Sequence, residues 1–379
     1  MADDESRGTK SRRRGSNSSP TPIQELLAAE PVLKKSSAKA SSAHASDKLA
    51  EARFLLEEKD ASSANALGFV HAVMSQIGLP RSPQKERVWT RTNGAASLTV
   101  LAGGITKRGV REEQPLPQGP YARLILADIS TYAVRYRTPL IPMESSVSAY
   151  MRKRLKLLVS GGTKGTYTSF KREALALASA HVELSLSANG VHREVKGAPV
   201  EEFAAWDVDE GEQQALWPCE LLLSDRFFKS LREHALPVDM RAYRALGHSA
   251  FAQDIYTWLV HRLPRLKKPL ELKWPVLSSQ FGGYGDVQKF RRDFLKRLKE
   301  AHAVYPDARF EVVRGKRGEA HGGLLLKPSP AAIYPVASVV PGVLGGPAVL
   351  GDPVQPRTFN ALPALEGPSA PPEPPESGK

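Results

Sequence analysis

The chain has 379 residues, with 53 Lys+Arg against 40 Asp+Glu, a formal charge of +13 and a pI near 9.7. This length suggests two or three domains, and no apolar run approaches the ~20 residues that a membrane helix needs. The single cysteine, Cys219, excludes disulfides and zinc sites built on two or more cysteines.

The opening residues have no apolar stretch behind them and do not read as a secretory signal. A reducing, cytoplasmic setting is the default expectation. The basic balance points to a polyanion, most simply nucleic acid. Residues 1–48 are rich in Ser, Lys and Arg and almost lack aromatic residues, so the expectation is a disordered basic arm. A non-specific DNA-binding arm and a solvated tail both fit that composition. Residues 49–58 and 61–78 read as helices, the second because Leu67, Val70, Met74 and Ile77 follow helical spacing. Short strands are expected at 86–91 and 97–102, and a Gly-rich polar loop at 103–115.

An order of elements then recurs. The first copy opens with a helix over 121–136, whose Ile125, Ile129, Tyr132 and Tyr136 share a face. An extended segment covers 138–142, and a helix follows at about 145–157 with Ser145 or Ser146 as N-cap. A glycine-rich turn at 161–165 leads to a helix at about 167–180. Strands at about 181–186 and 219–224 close the copy, joined by a long polar insertion with Asp207, Asp209, Glu210 and Glu212. The second copy runs through a helix at 249–263, a short strand at 269–272 and a helix at about 274–281, where Pro275 suits the first turn. After the turn 282–285 come a long helix at 286–304 and strands at 308–314 and 322–327, flanking the loop Gly315–Gly318. Residues 329–379 hold 12 prolines in 51 positions and read as a Pro-rich disordered tail.

Helix, strand, helix, turn, helix, strand, wing, strand is the order of a winged helix. The expected class is α+β, with two tandem winged-helix (helix-turn-helix with β-hairpin wing) units flanked by disordered tails. The units are expected at 116–235 and 236–328, preceded by N-terminal helices and short strands over 49–115.

On the helix 286–304, at about 100° per residue, Val287, Phe290, Phe294, Leu298 and Ala301 make one apolar stripe. Lys289, Arg292, Lys296 and Lys299 fall on the opposite face. A solvated surface would also carry cations, but such faces usually alternate with acids for i,i+4 pairing, and this one carries none. Residues 249–328 hold 16 Lys+Arg and 8 Asp+Glu, so +8 of the total +13 lies within them. The expected reading is DNA contact, with Gln288, Lys289 and Arg292 at base edges and Lys296 and Lys299 on phosphates. Arg314, Lys316 and Arg317 stand where a wing tip would touch the flanking minor groove or phosphates. In the first copy Arg152, Lys153, Arg154 and Lys156 precede the turn. Lys164, Lys171 and Arg172 follow it as a weaker footprint, consistent with phosphate contact or a solvated surface.

Catalytic patterns are absent from the sequence. Gly161–Gly165 lacks P-loop spacing, and no His-Glu-x-x-His occurs. Tyr132 and Tyr136 have an i,i+4 spacing found in some nicking enzymes, but no two histidines are separated by a single residue to form the accompanying metal site. The tyrosines are expected to pack on their helix, and Cys219 to be a buried strand residue. The expectation is a protein that is not an enzyme, with no catalytic residues, no metal and no cofactor.

Four collinear segments resemble the plasmid-encoded RepA replication initiators. They are Leu116–Leu126; Ser146–Ser148 with Gly161 and Gly162; Leu223–Phe228 with Leu236–Leu246; and Asp254–Leu259 through Arg265–Pro269 to Phe281, Gly282 and Phe290–Phe294. The resemblance spans about residues 65–330. It implies an iteron-type initiator that binds repeated double-stranded DNA sites at a plasmid origin, helps to open it and recruits host initiator and helicase proteins. It further implies a homodimer acting on the protein's own promoter, control of plasmid copy number, and residence in the bacterial cytoplasm on plasmid DNA, not at a membrane. The competing reading is a winged-helix transcriptional regulator that acts only as a repressor.

Overall fold

The computed structural model describes residues 66–333, except 95, 108, 164, 189–190, 198, 209–214, 283–284 and 316–321. The expectations for 1–48, 49–58 and the tail beyond 333 lie outside the described residues. The described part is α+β.

The first element corrects the sequence reading. Residues 67–71 form a strand, β1 (Leu67–His71), not a helix, and a 3-10 turn follows at Ala72–Ser75. All five residues of β1 are buried, and in so short an apolar run periodicity does not separate a buried strand from a buried helix. The decision is tertiary: β1 pairs antiparallel with residues 235–239, far along the chain. Gly68 permits the close approach, since a Cβ there would lie 2.2 Å from Met240 Cγ. β2 (Val88–Asn93) and β3 (Ala96–Leu101) lie where two short strands were expected, and they pair as a hairpin. The expected loop at 103–115 is instead a second hairpin, β4 (Gly104–Lys107) with β5 (Val110–Glu113). Gly109, at φ +78°, makes its tight turn.

Helix α1 (Gly119–Tyr136) carries Pro120 in its first turn and ends where Arg137 turns left-handed. β6 (Leu140–Pro142) follows, then α2 (Val147–Ala149), which continues into a π-turn at Tyr150–Arg154. Ser146 is the N-cap, its Oγ accepting from the Ala149 N–H at 3.1 Å. α3 (Thr166–Ser179) comes next. Four strands then occupy the region where two strands and an insertion were expected: β7 (His181–Ala188), β8 (Val191–Gly197), β9 (Val200–Val208) and β10 (Ala215–Leu223). Asp207 lies in β9, while Asp209, Glu210 and Glu212 are outside the described residues. β7 leaves the first copy and joins a sheet of order β2-β3-β7-β8, so the hairpin of that copy is β9–β10, in a sheet of order β6-β10-β9.

α4 (Asp225–Glu233), β11 (Ala235–Asp239, the partner of β1) and α5 (Met240–Ala245) lead to α6 (Ala250–Arg262). The chain continues through β12 (Leu270–Lys273), α7 (Trp274–Phe281), α8 (Val287–Ala303), β13 (Phe310–Val313) and β14 (Gly323–Leu326). Their sheet has the order β12-β14-β13. In both three-stranded sheets the third strand in sequence therefore lies between the other two; two helices separate β12 from β13, while two helices and then β7 and β8 separate β6 from β9.

One apolar cluster runs from Ala66 to Ile333 through α1, α6, α8 and both three-stranded sheets. A smaller one, with Ile77, Leu98, Val100 and Val182, underlies the four-stranded sheet. Residues 329–333 belong with the core and not with the expected tail: Ile333 is buried, and Ser329 Oγ accepts from the Arg309 N–H at 2.9 Å. A buried ion pair locks α1 to α6. Arg123 meets both carboxylate oxygens of Asp254, at 2.7 and 3.1 Å, and donates to the carbonyls of Leu79, Pro80 and Gly119. Those bonds supply acceptors for the guanidinium, a condition for burying such a charge. Among the described residues no helix is long and apolar enough to cross a membrane.

Candidate nucleic-acid interface

Helix α8 begins at Asp286, whose carboxylate accepts from the N–H groups of Gln288 (2.8 Å) and Lys289 (3.3 Å). Its inward face is the stripe expected from spacing: Phe290, Phe294, Leu298 and Ala301 are buried. Phe294 meets Phe251, Trp258, Trp274 and Phe281 edge-on, with ring centroids 5.3–6.3 Å apart. This aromatic packing fixes which side of α8 turns outward.

Gln288, Lys289, Arg292, Lys296 and Lys299 are all exposed on that outer side. Arg292 lies 3.9 Å from Asp293, a loose surface contact; Lys289, Lys296 and Lys299 have no ion pair among the described residues. The neighbouring cations of the helix are engaged. Arg297 binds Glu300 at 2.7 and 2.9 Å, and Glu300 also meets His248 at 3.1 Å. Arg291 lies 5.7 Å over the Trp274 ring. The structure thus separates three lysines and Arg292 from the cations that hold the fold.

Arg314 is exposed at the end of β13; Lys316 and Arg317 lie outside the described residues. Sequence reading missed Lys273. It is exposed and faces Gly323 in register, as Val313 does from the other side. Lys273 and Arg314 therefore flank the base of the same loop. No helical or charge pattern marks Lys273; only the strand register brings it there. At the other end of the hairpin Lys327 is engaged by Glu311.

The first copy is arranged differently. Lys164 lies outside the described residues, Lys171 is half-buried, and Arg172 is exposed but within 3.3 Å of the Glu173 carboxylate. Glu173 is buried and accepts from the Gln118 N–H at 2.8 Å; burial raises its pKa, against the backbone bond and Arg172. Arg154, grouped by sequence with the surface cations, turns inward to Asp128 at 2.8 Å and lies over the rings of Tyr150 and Tyr132. Tyr132 and Tyr136 pack on each other, 4.5 Å between centroids. The hairpin β4–β5 abuts the end of α3: a Cβ on Gly103 would stand 1.7 Å from the Ser179 carbonyl oxygen. α3 is thus hemmed in where the outer face of α8 is open.

A mixed α+β chain with a cationic helix face, backed by an aromatic core, is the class this fold defines. The model of the family described as plasmid encoded RepA protein matches residues 116–273. Over that stretch the resemblance read from the residues holds. Two crystal structures of domains 2 and 3 of RctB are similar at TM-scores of 0.44 and 0.42, with 11% and 13% identity, each covering 68% of this chain and 96% of the other. No curated protein matches.

Proposed function

We propose that the protein is a non-enzymatic replication initiator that binds repeated double-stranded DNA sites at a plasmid origin through two winged-helix units, helps to open the duplex and recruits host initiator and helicase proteins. The observation that carries this reading is the outer face of α8, where Lys289, Arg292, Lys296 and Lys299 are exposed, the three lysines have no ion pair among the described residues, and Arg292 has only the loose contact with Asp293. The shared strand order of the two three-stranded sheets supports the paired winged-helix assignment, and the family match over 116–273 supports the initiator role.

In this reading Gln288, Lys289 and Arg292 meet base edges near the start of α8. Lys296 and Lys299 meet phosphates, and Arg314, Lys316, Arg317 and Lys273 serve the hairpin side. Lys164, Lys171 and Arg172 supply phosphate contact in the first unit. A dimer acting on the protein's own promoter completes the proposal. Footprinting of the full chain on the DNA flanking its gene tests it. Protection of several short direct repeats is expected. Protection of a lone promoter operator would leave the repressor reading, and no preference over random duplex would overturn both.

A further inference from the structure

We propose that Arg81 and Arg91 are positioning residues for DNA recognition, gripping the end of α7 from the four-stranded-sheet layer and so setting the tilt at which α8 meets DNA. This rests on the reading of α8 as the DNA-contacting helix.

The geometry is specific. Arg81 Nη2 donates to the carbonyls of Phe281 (2.9 Å) and Gly282. Arg91, on β2, donates from Nη2 to the carbonyl of Gln280. These are carbonyls at the C-terminus of α7, where a helix leaves acceptors without intrahelical partners and favours a cation. The Arg81 guanidinium also lies 4.2 Å over the ring of Phe251, which packs on Phe281, Phe290 and Phe294 beneath α8. Gly282 has φ +58°, and a Cβ there would fall 3.0–3.2 Å from the Arg91 guanidinium, so the cation lies against the bare backbone of the turn. The loop bearing Arg81 is itself held, because Arg123 binds the carbonyls of Leu79 and Pro80 while paired with Asp254. A continuous path of polar contacts therefore runs from α1 and α6, through that loop, to the turn that launches α8. The main helical contacts of α8 itself are with α6 and α7. Arg81 and Arg91 join that pair of helices to a layer remote in sequence.

The test uses the full chain. A duplex is selected from a random pool by the parent protein, and binding to it and to unselected duplex is measured across a salt series. Arg81→Met/Arg91→Met should bind the selected duplex at least about tenfold more weakly, roughly one lost base contact. Unselected duplex should bind within about twofold of the parent, with the same salt slope. In a Cys219→Ser background, spin labels at Thr99→Cys and Lys299→Cys should give a broader distance distribution in the Met variant. A purely stabilising role would lower the melting temperature but leave that distribution unchanged, and this result would overturn the proposal. A slope shallower by about 1 per residue would mean direct phosphate contact, and would equally overturn it. If the double variant does not melt cooperatively, Arg91→Lys, which keeps the charge but loses the fork, carries the same comparison. Lys289→Ala/Arg292→Ala separates the two levels of the claim. If it binds like the parent, the reading of α8 fails; if it loses binding while the Arg81/Arg91 variants do not, only the positioning role fails.

Discussion

Arg292 and Lys299 share the outer face of α8 yet should report different contacts. Arg292 lies in the second turn, where helix-turn-helix proteins meet base edges. Arg292→Ala should cost about 1–3 kcal/mol and relax preference at one base pair. Lys299 lies more than three turns from the start of α8, where the helix should be leaving the groove. Lys299→Ala should weaken specific and random DNA alike and flatten the salt slope by about 1. Binding to single-base variants across a salt series distinguishes the two, and both proteins should stay folded because neither side chain touches the Phe290–Phe294–Leu298 stripe. A different residue governs stability in acid. His71 is buried; it bonds Ser230 at 3.0 Å and stacks on Phe227 and His234. Burial, followed by the neighbouring His234, depresses its pKa to about 3. The unfolded chain then binds a proton below about pH 6.5 that the folded chain refuses, so stability falls as pH drops from there toward 3. Between pH 7 and 5 the loss from this site should be about 2 kcal/mol. Denaturant midpoints at the two pH values check it; a His71→Gln variant that keeps the whole parental slope would contradict the assignment.

At the scale of elements, β1 is the clearest case of a segment whose role is set by its partner. It buries Leu67, Phe69 and Val70 and closes the β1–β11 ladder. Each such side chain contributes roughly 1.5–3 kcal/mol, together comparable with the net stability of a domain, about 5–15 kcal/mol. A 66–333 fragment should therefore melt cooperatively and a 72–333 fragment should not. Equal melts by circular dichroism would show β1 to be dispensable. The same element shows where sequence reading stops. Helices α1, α3, α6, α7 and α8 were legible because their apolar stripes, caps and prolines are local signals, and the outer face of α8 followed from the same periodicity. The β4–β5 hairpin, β8 and β9 pair with chain neighbours and were not legible because their polar sequences carry no sustained apolar alternation; β1 was not legible because its pairing partner, β11, is distant in sequence. Lys273 and the Arg81/Arg91 grip were hidden for that reason as well. Arg154 looked like one of a surface group until Asp128, from another helix, drew it inward.

Over the whole molecule, charge and packing divide the labour between the two copies. Contacts from α1, the β4–β5 hairpin and Glu173 hem in the first, while the second leaves α8 open, within a segment that carries +8 of the +13 charge. The continuous core from Ala66 to Ile333 and the Arg123–Asp254 pair tie the copies together, so α8 is best studied in the intact chain. The most direct measurement is a salt-series titration of the full chain, parent against Lys289→Ala/Arg292→Ala/Lys296→Ala/Lys299→Ala, on a selected duplex. With about −0.9 in the log–log slope for each phosphate neutralised, the account predicts a slope shallower by roughly 2–4 and affinity at least about a hundredfold lower at moderate salt. A folded quadruple variant that binds with parental affinity and slope would contradict it, and would make this face an ordinary solvated surface.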